Sequence, residues 1–303
     1  MMSESSNAAF VVQIDLKLVE KLKADLIEKG FDISQPPYTL FSAKSKGVSC
    51  TVYTSGKLMV QGKEKATFIE FYLEPEILKS FKFNYEKESI DPTARIGIDE
   101  SGKGDFFGPL CIAGVFAEGK GVHDLLSFGV KDSKKLTDST ILKIGRKIQE
   151  NFAHHIVKIN PKKYNELYLQ FKNLNRLLAW GHATTIEQLI LNTHCTNVTI
   201  DQFADEQVVL TALRRKKIDV QLLQRHRAEE DVVVAAASIL ARKAFIEGLD
   251  QLGKQYGLLL PKGASALTIK AGKELVMRQG KEVLENVGKL HFKTLDAILE
   301  GKE

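Results

Sequence analysis

An α/β domain with a helical C-terminal tail, preceded by a small α+β unit, is the fold class this sequence predicts, and three observations predict it. Between Arg95 and Leu223, short apolar runs of strand length alternate with amphipathic helical stretches. From Asp231 onward the pattern is helical almost throughout. Before residue 90 the order is instead strand, helix, three strands and helix, which makes a compact sheet with one face covered by helices and the other open.

Length agrees with two domains, since 303 residues exceed the usual size of one. An apolar content of 44% and a charged content of 27% are those of a globular protein with a substantial core. The net charge of +5 and pI near 8.9 permit nucleic-acid binding without demanding it. Lysines cluster at Lys131, Lys134 and Lys135, while Arg214, Arg215, Lys216 and Lys217 read as a solvated helix end. Cys50, Cys111 and Cys195 are widely spaced and odd in number, so a reduced, cytoplasmic setting is expected. No stretch has the length and apolarity of a membrane span, and Met1 to Ala9 is polar, without a signal-peptide core; it is expected to be disordered.

In the first unit, residues 10–14 read as a strand and 16–29 as a helix closed by Gly30, with Leu18, Val19, Leu22, Leu26 and Ile27 apolar. Residues 38–43 form a second expected strand. Residues 48–54 and 57–61 alternate around Ser55-Gly56, a hairpin signal. A helix is expected from Lys65 to about Leu78. Lys44, Lys46, Lys57 and Lys63 lie near the open face, which suits a polyanion or an ordinary wet sheet. Residues 83–92, charged and ending in Asp-Pro, are the linker, so the boundary falls near residue 90 and divides 1–90 from 91–303.

The second unit starts with a buried strand at Ile96 to Ile98, beside a continuous apolar strand over 110–116. Further strands are expected at 155–159, 197–200 and 219–223, and helices at 139–151, 174–192 and 208–215. The Ile96 strand delivers two adjacent carboxylates, Asp99 and Glu100, into a turn built from Gly102, Gly104 and Gly108. Like charges that close repel, so a Lys, an Arg or a divalent metal should hold them. Gly102-Lys103-Gly104 bares the backbone on both sides of one cation, so a phosphate or sugar can approach the main chain. Residues 97–103 also match the start of a P-loop, but Gly104 stands where that motif requires Ser or Thr and the acids would repel a phosphate. A glycine-rich hairpin with solvated acids explains the glycines and leaves the acids at a buried strand end unexplained.

The run Asp99-Glu100-Ser101-Gly102-Lys103-Gly104-Asp105-Phe106-Phe107-Gly108-Pro109 resembles the first active-site motif of the type 2 ribonucleases H, in the form of the ribonuclease HIII branch. That resemblance implies a ribonuclease H-like catalytic domain and, for the first unit, a substrate-binding fold similar to the TATA-binding protein. It implies that Asp99 and Glu100 bind catalytic metal and that Gly102, Lys103 and Gly104 meet the ribose 2′-hydroxyls. Residues 130–137 resemble the second motif, in which the Ser133 hydroxyl and Lys134 ammonium suit phosphate contacts, while Thr137 or Asp138 would cap the next helix.

Asp201 ends the strand Asn197-Val198-Thr199-Ile200 and can reach the metal shared by Asp99 and Glu100; alone, it would read as a helix cap. The resemblance makes it the third acid. Residues 235–239 fit the family's small-residue helix, and the fourth acid lies just upstream. Glu229 is favoured over Glu230 because Arg227-Ala228-Glu229 resembles the HIII segment, and any of Glu229, Glu230 or Asp231 would suit the helix N-terminus. The seven histidines show no metal spacing and read as structural.

The expected activity is therefore endonucleolytic hydrolysis of the RNA strand of an RNA/DNA hybrid, giving 3′-hydroxyl and 5′-phosphate ends. The expected cofactor is Mg²⁺ or Mn²⁺, which hard oxygen ligands favour over zinc. Catalytic positions are Asp99, Glu100, Asp201 and Glu229, with metal on the first three. The partner is the hybrid, without a membrane, and the chain is expected to be a monomer. A non-catalytic nucleic-acid-binding protein is the alternative.

Overall fold

The structure, a computed structural model, describes residues 9–78, 91–131, 133–225 and 228–300, without the side chains of Lys135, Arg225 and Glu229. The chain divides into two compact units, residues 1–88 and 89–303. The segment expected to be disordered lies, up to residue 8, outside the described residues, as does the expected linker up to residue 90.

The first unit is a five-stranded antiparallel sheet in the order β1-β5-β4-β3-β2, with β1 Phe10–Gln13, β2 Asp32–Ser34, β3 Thr39–Ser45, β4 Val48–Tyr53 and β5 Lys57–Gln61. Strand β2 was not expected. It is three residues long with Ile33 as its one apolar side chain, so no alternation announces it. Helix α1, Val19–Glu28, turns Val19, Leu22 and Leu26 into the core against Phe41, Cys50, Val52 and Leu58. Each such aliphatic side chain stabilises the unit by roughly 1.5–3 kcal/mol on burial. Ile27, expected on that apolar face, is exposed.

The expected second helix is α-helical only over α2, Lys65–Phe68, and continues over Ile69–Leu78 in wider π turns. Pro75 lies inside that stretch and has no N–H to donate to an α-helical ladder. Ile69, Leu73 and Ile77 nevertheless remain buried in the same core. On the other sheet face, register places Val11, Gln13, Lys57, Met59, Gln61, Ser49, Thr51, Tyr53 and Lys44 side by side.

The second unit holds a mixed sheet ordered β10-β9-β6-β7-β8: β6 Arg95–Ser101, β7 Leu110–Ala117, β8 His154–Ile159, β9 Asn197–Asp201 and β10 Gln221–Arg225. Strands β6, β9 and β10 run parallel, while β7 is antiparallel to both β6 and β8. Its helices are α3 Lys120–Ser127, α4 Asp138–Asn151, α5 Pro161–Phe171, α6 Leu174–Thr193, α7 Glu206–Arg215, α8 Val232–Tyr256, α9 Ala266–Gln279, α10 Val283–Val287 and α11 Thr294–Leu299. Helices α3 and α5 were not expected: α3 opens after Gly119 with a second glycine at its second position, which reads as loop, and α5 carries buried residues only at Pro161 and Tyr164.

One face of this sheet packs Ile96, Ile98, Ile112 and Ile200 against Leu177, Ile186 and Leu189 of α6. The other face lies under α8. A Cβ at Gly97 would stand 2.5 Å from the Val233 carbonyl carbon and the Val234 nitrogen, so only glycine lets α8 rest directly on the central strand. Ala235, Ala236 and Ala237 are buried along the same helix. Asp231 caps it, accepting from Val233 N and Val234 N, and Gly257 ends it in the left-handed conformation.

Candidate active site

Side-chain alternation along β6 decides where the two adjacent acids go. Asp99 shares the α8 face with Gly97, and Glu100 shares the α6 face with Ile96 and Ile98. Each is gripped by the helix on its own side. Asp99 accepts a hydrogen bond from Ser238 of α8 and, through Oδ1, one from Glu100 N at 2.8 Å. Glu100 faces His182 of α6, with Nε2 at 3.0 Å from Oε2, while Lys103 Nζ donates to Oε1 at 2.7 Å.

The parallel register Ile98↔Ile200 puts Asp99 and Asp201 on neighbouring strands one step further on, with side chains on the same face. Asp201 does not cap α7, whose N-cap is Asp205. It accepts instead from Ala228 N at 3.0 Å, so it ties the start of the segment before α8 to the strand end.

These acids line a cavity of about 280 Å³ with Lys103, Asp105, Ser133, Lys134, Ser238, Arg242 and Lys262. A larger groove of about 600 Å³ beside α8 is lined mainly by Ile246, Leu249, Leu258, Leu259 and Leu260 and holds no comparable cluster of acids.

Burial and the neighbouring charges of Glu100 and Asp201 push the Asp99 carboxyl well above the usual carboxylate range. Burial works the same way on Glu100, but the His182 and Lys103 donors outweigh it and hold Glu100 below that range. Burial lowers the Lys103 ammonium and the acids around it more than reverse that, so it is raised. Glu100 is thus met by one cation, Lys103, and by the His182 ring nitrogen, while Asp99 is met by a hydroxyl and a backbone N–H. Among the described residues no three His, Cys, Asp or Glu side chains stand preformed as a metal shell. The donor set nevertheless suits a hard divalent cation, because the carboxylates of Asp99, Glu100 and Asp201 line the same cavity and offer only oxygen ligands.

Other expected positions are found as follows. Gly102 has φ +90°, and a Cβ there would lie 2.3 Å from the Pro109 carbonyl oxygen, so the turn itself demands glycine. Gly104 is different: a Cβ on it would meet nothing within 4 Å, so its own protein does not require the glycine. Ser133, expected to meet a phosphate, is instead buried, with its hydroxyl paired to that of Ser238 at 2.8 Å, whereas Lys134 is exposed on the cavity rim as a phosphate contact requires. Thr137 caps α4. Asp231 is committed to its cap and to Arg95 Nε at 2.8 Å. The Glu229 side chain lies outside the described residues. The P-loop alternative does not survive, since its residues up to Ser101 are strand.

Sequence reasoning missed His182 and Lys289. His182 looked like any other helical histidine, and only the fold sets it against Glu100. Lys289 is fully buried, with Nζ 2.9 Å from Asp105 O, 3.4 Å from Phe107 O and 2.7 Å from Gly108 O. It pins the far side of the glycine turn to the C-terminal segment. A lysine between Gly288 and Leu290 gave no local sign of this.

A mixed sheet whose neighbouring parallel strands β6 and β9 carry Asp99, Glu100 and Asp201 near their ends, backed by one long helix with small residues against the sheet, has the architecture of the ribonuclease H type. Residues 96–295 match the family profile described as Ribonuclease HII, and residues 9–84 match one described as Domain of unknown function (DUF3378). A ribonuclease HIII of Protochlamydia amoebophila is 63% identical over 97% of this chain and 98% of its own length. A ribonuclease HIII of Chlamydia trachomatis serovar L2 is 48% identical over 96% and 98%. The crystal structure of Bst-RNase HIII in complex with Mn²⁺ superposes with a TM-score of 0.66 at 28% identity, covering 96% of this chain and 98% of that one. This chain belongs to the ribonuclease HIII family, a branch of the type 2 ribonucleases H.

Proposed function

We infer that this chain is an endoribonuclease that hydrolyses the RNA strand of RNA/DNA hybrids, dependent on a divalent metal and leaving 5′-phosphate and 3′-hydroxyl ends. The observation that carries the reading is the meeting of Asp99, Glu100 and Asp201 in one cavity beside the Gly102–Gly104 turn. Asp99, Glu100 and Asp201 are assigned as metal ligands, with Glu229 as the fourth acid. The metal, Mg²⁺ or Mn²⁺, supplies an activated water and neutralises charge on the attacking and leaving oxygens.

The remaining work belongs to the chain. Gly104, with open space where a Cβ would be, lets a ribose come against the backbone, and Gly102 sets the turn that presents it. Lys103, half exposed at the cavity, exchanges between Glu100 and an incoming phosphate. Lys134 meets a second phosphate on the rim, and Ser133 acts through Ser238 to hold Asp99. Residues 1–90 are assigned to holding the hybrid and 91–303 to cleaving it. The uncovered face of the first sheet, with Lys44, Lys57, Thr51 and Tyr53 in register, supports that division.

No described helix is long and apolar enough to cross a membrane. Three unpaired cysteines, two of them buried, support a reducing cytoplasmic location, and a single chain is taken as the working unit.

The test is a labelled hybrid, an all-RNA duplex and an all-DNA duplex, each with Mg²⁺, Mn²⁺ or chelator. Only the RNA strand of the hybrid should be cut, and only with metal. Retained hybrid binding without metal-dependent cleavage would leave the non-catalytic binding protein as the better reading.

A further inference from the structure

Glu100 is held by two donors that differ in one respect: only one of them can leave. Lys103 Nζ, on Oε1, ends a flexible side chain that is 50% exposed. His182 Nε2, on Oε2, belongs to a ring with no exposure at all. That ring is wedged against Phe203, centroid to centroid 4.6 Å. Its backbone is fixed too. Gly181 sits so close to β7 that a Cβ would come within 2.7 Å of Ile112 Cδ1, so α6 has no room to shift towards the sheet.

Packing alone does not account for a histidine here. Its Nδ1 is buried and has no hydrogen-bond partner among the described residues, a costly state that Phe or Leu would avoid while filling the same space. What neither could do is donate from the Nε2 position to Glu100. The carboxylate partner assigns the proton to Nε2 and leaves Nδ1 the unpaired lone pair.

We propose that His182 is the positioning residue for Glu100, fixing one carboxylate oxygen so that the other faces the cavity, and that Lys103 is an exchangeable cation on that second oxygen. The proposal rests on the metal-site reading above. Hydrogen bonds from outside the ligand shell orient ligating carboxylates in this way, and removing them typically weakens metal affinity by roughly 10- to 100-fold. Lys103 and the metal then compete for the same charge, so the site is neutralised in either state.

The experiment is a Mn²⁺ titration of the full chain without substrate, read by EPR, on wild type, Asp99→Asn, His182→Phe, His182→Gln and Lys103→Met. His182→Phe keeps ring volume without the donor and should weaken Mn²⁺ binding by roughly 10- to 100-fold. His182→Gln places an amide N–H near the Nε2 position and should recover most of the loss. Lys103→Met should bind Mn²⁺ more tightly than wild type. A folded His182→Phe protein that binds Mn²⁺ like wild type overturns the proposal.

A second measurement does not depend on the variants folding. In ¹⁵N-histidine NMR of the wild type, the His182 Nε2 proton should be protected from exchange both before and after saturation with Mg²⁺. An unprotonated Nε2 in either state overturns the proposal as well. If wild type binds no Mn²⁺, or Asp99→Asn binds it unchanged, the metal-site reading fails and this inference fails with it.

Discussion

Arg95 Nε donates to Asp231 Oδ2 at 2.8 Å, joining the first residue of the central strand to the N-cap of the helix that lies across it. Both side chains are nearly buried, and Arg95 also donates to the carbonyls of Asp91 and Thr93. Both oxygens of this acid are thus engaged in holding strand and helix together, two residues from the position proposed for catalysis.

Asp231→Ala should accordingly cost stability and spare chemistry. Loss of the cap is worth about 1 kcal/mol. Leaving Arg95 buried without its partner adds up to about 3 kcal/mol. Denaturant unfolding should show the loss, with cleavage per folded molecule unchanged. Glu229→Gln should behave in the opposite way: normal melting, lost activity, and partial recovery at high metal. If Glu229→Gln is fully active and Glu230→Gln is dead, the fourth acid is Glu230.

Asp99→Asn removes one charge from a crowded cluster. Cleavage should vanish while affinity for the hybrid holds or rises, because the phosphate meets less repulsion. Filter binding and gel cleavage on one preparation separate the two effects, and near-native activity would sink the assignment.

Two glycines of one turn should respond differently to alanine. Gly102→Ala meets the Pro109 carbonyl and a left-handed φ, so it should destabilise by about 1–3 kcal/mol. Gly104→Ala meets open space and should leave the melting temperature unchanged, yet raise KM for the hybrid by crowding the ribose. Equal melting and equal KM for Gly104→Ala would remove this residue from substrate binding.

Lys289 carries a pH signature. Burial lowers its ammonium from the ordinary lysine value to about 7, with the Asp105 carboxylate opposing that shift. The unfolded chain keeps this proton up to about pH 10.4, so between pH 7 and 10 it binds more protons than the folded one. The wild-type contribution from this group should rise with pH across that window and be flat below it. Unfolding free energies of wild type and Lys289→Met at pH 7 and 9.5 test the sign: the wild type should gain relative to the variant at the higher pH.

Lys44→Glu and Lys57→Glu, on the uncovered face of the first sheet, should raise KM without lowering kcat. Each should also flatten the salt dependence of hybrid binding by about one unit of slope. Unchanged affinity in both variants would leave that face without the role assigned to it.

Much of this was legible in the sequence because it is local. Apolar runs of strand length marked most of the strands, alternation marked the two around the Ser55-Gly56 hairpin, and a carboxylate at the end of an apolar run marked Asp99 and Asp201 one by one. Strand β2 and helix α5 escaped because one or two buried residues make no period, and Pro75 turned an expected α-helix into wider turns through a missing N–H. Tertiary structure alone decided the pairings. The parallel register of β6 and β9 sets Asp99 beside Asp201, and alternation hands Asp99 to Ser238 and Glu100 to His182 on opposite faces. His182 lies 82 positions from Glu100, and Lys289 lies 184 from Asp105. Contacts at that separation depend on how helices settle on a sheet, and a neighbouring-residue pattern carries no record of where a distant helix comes to rest.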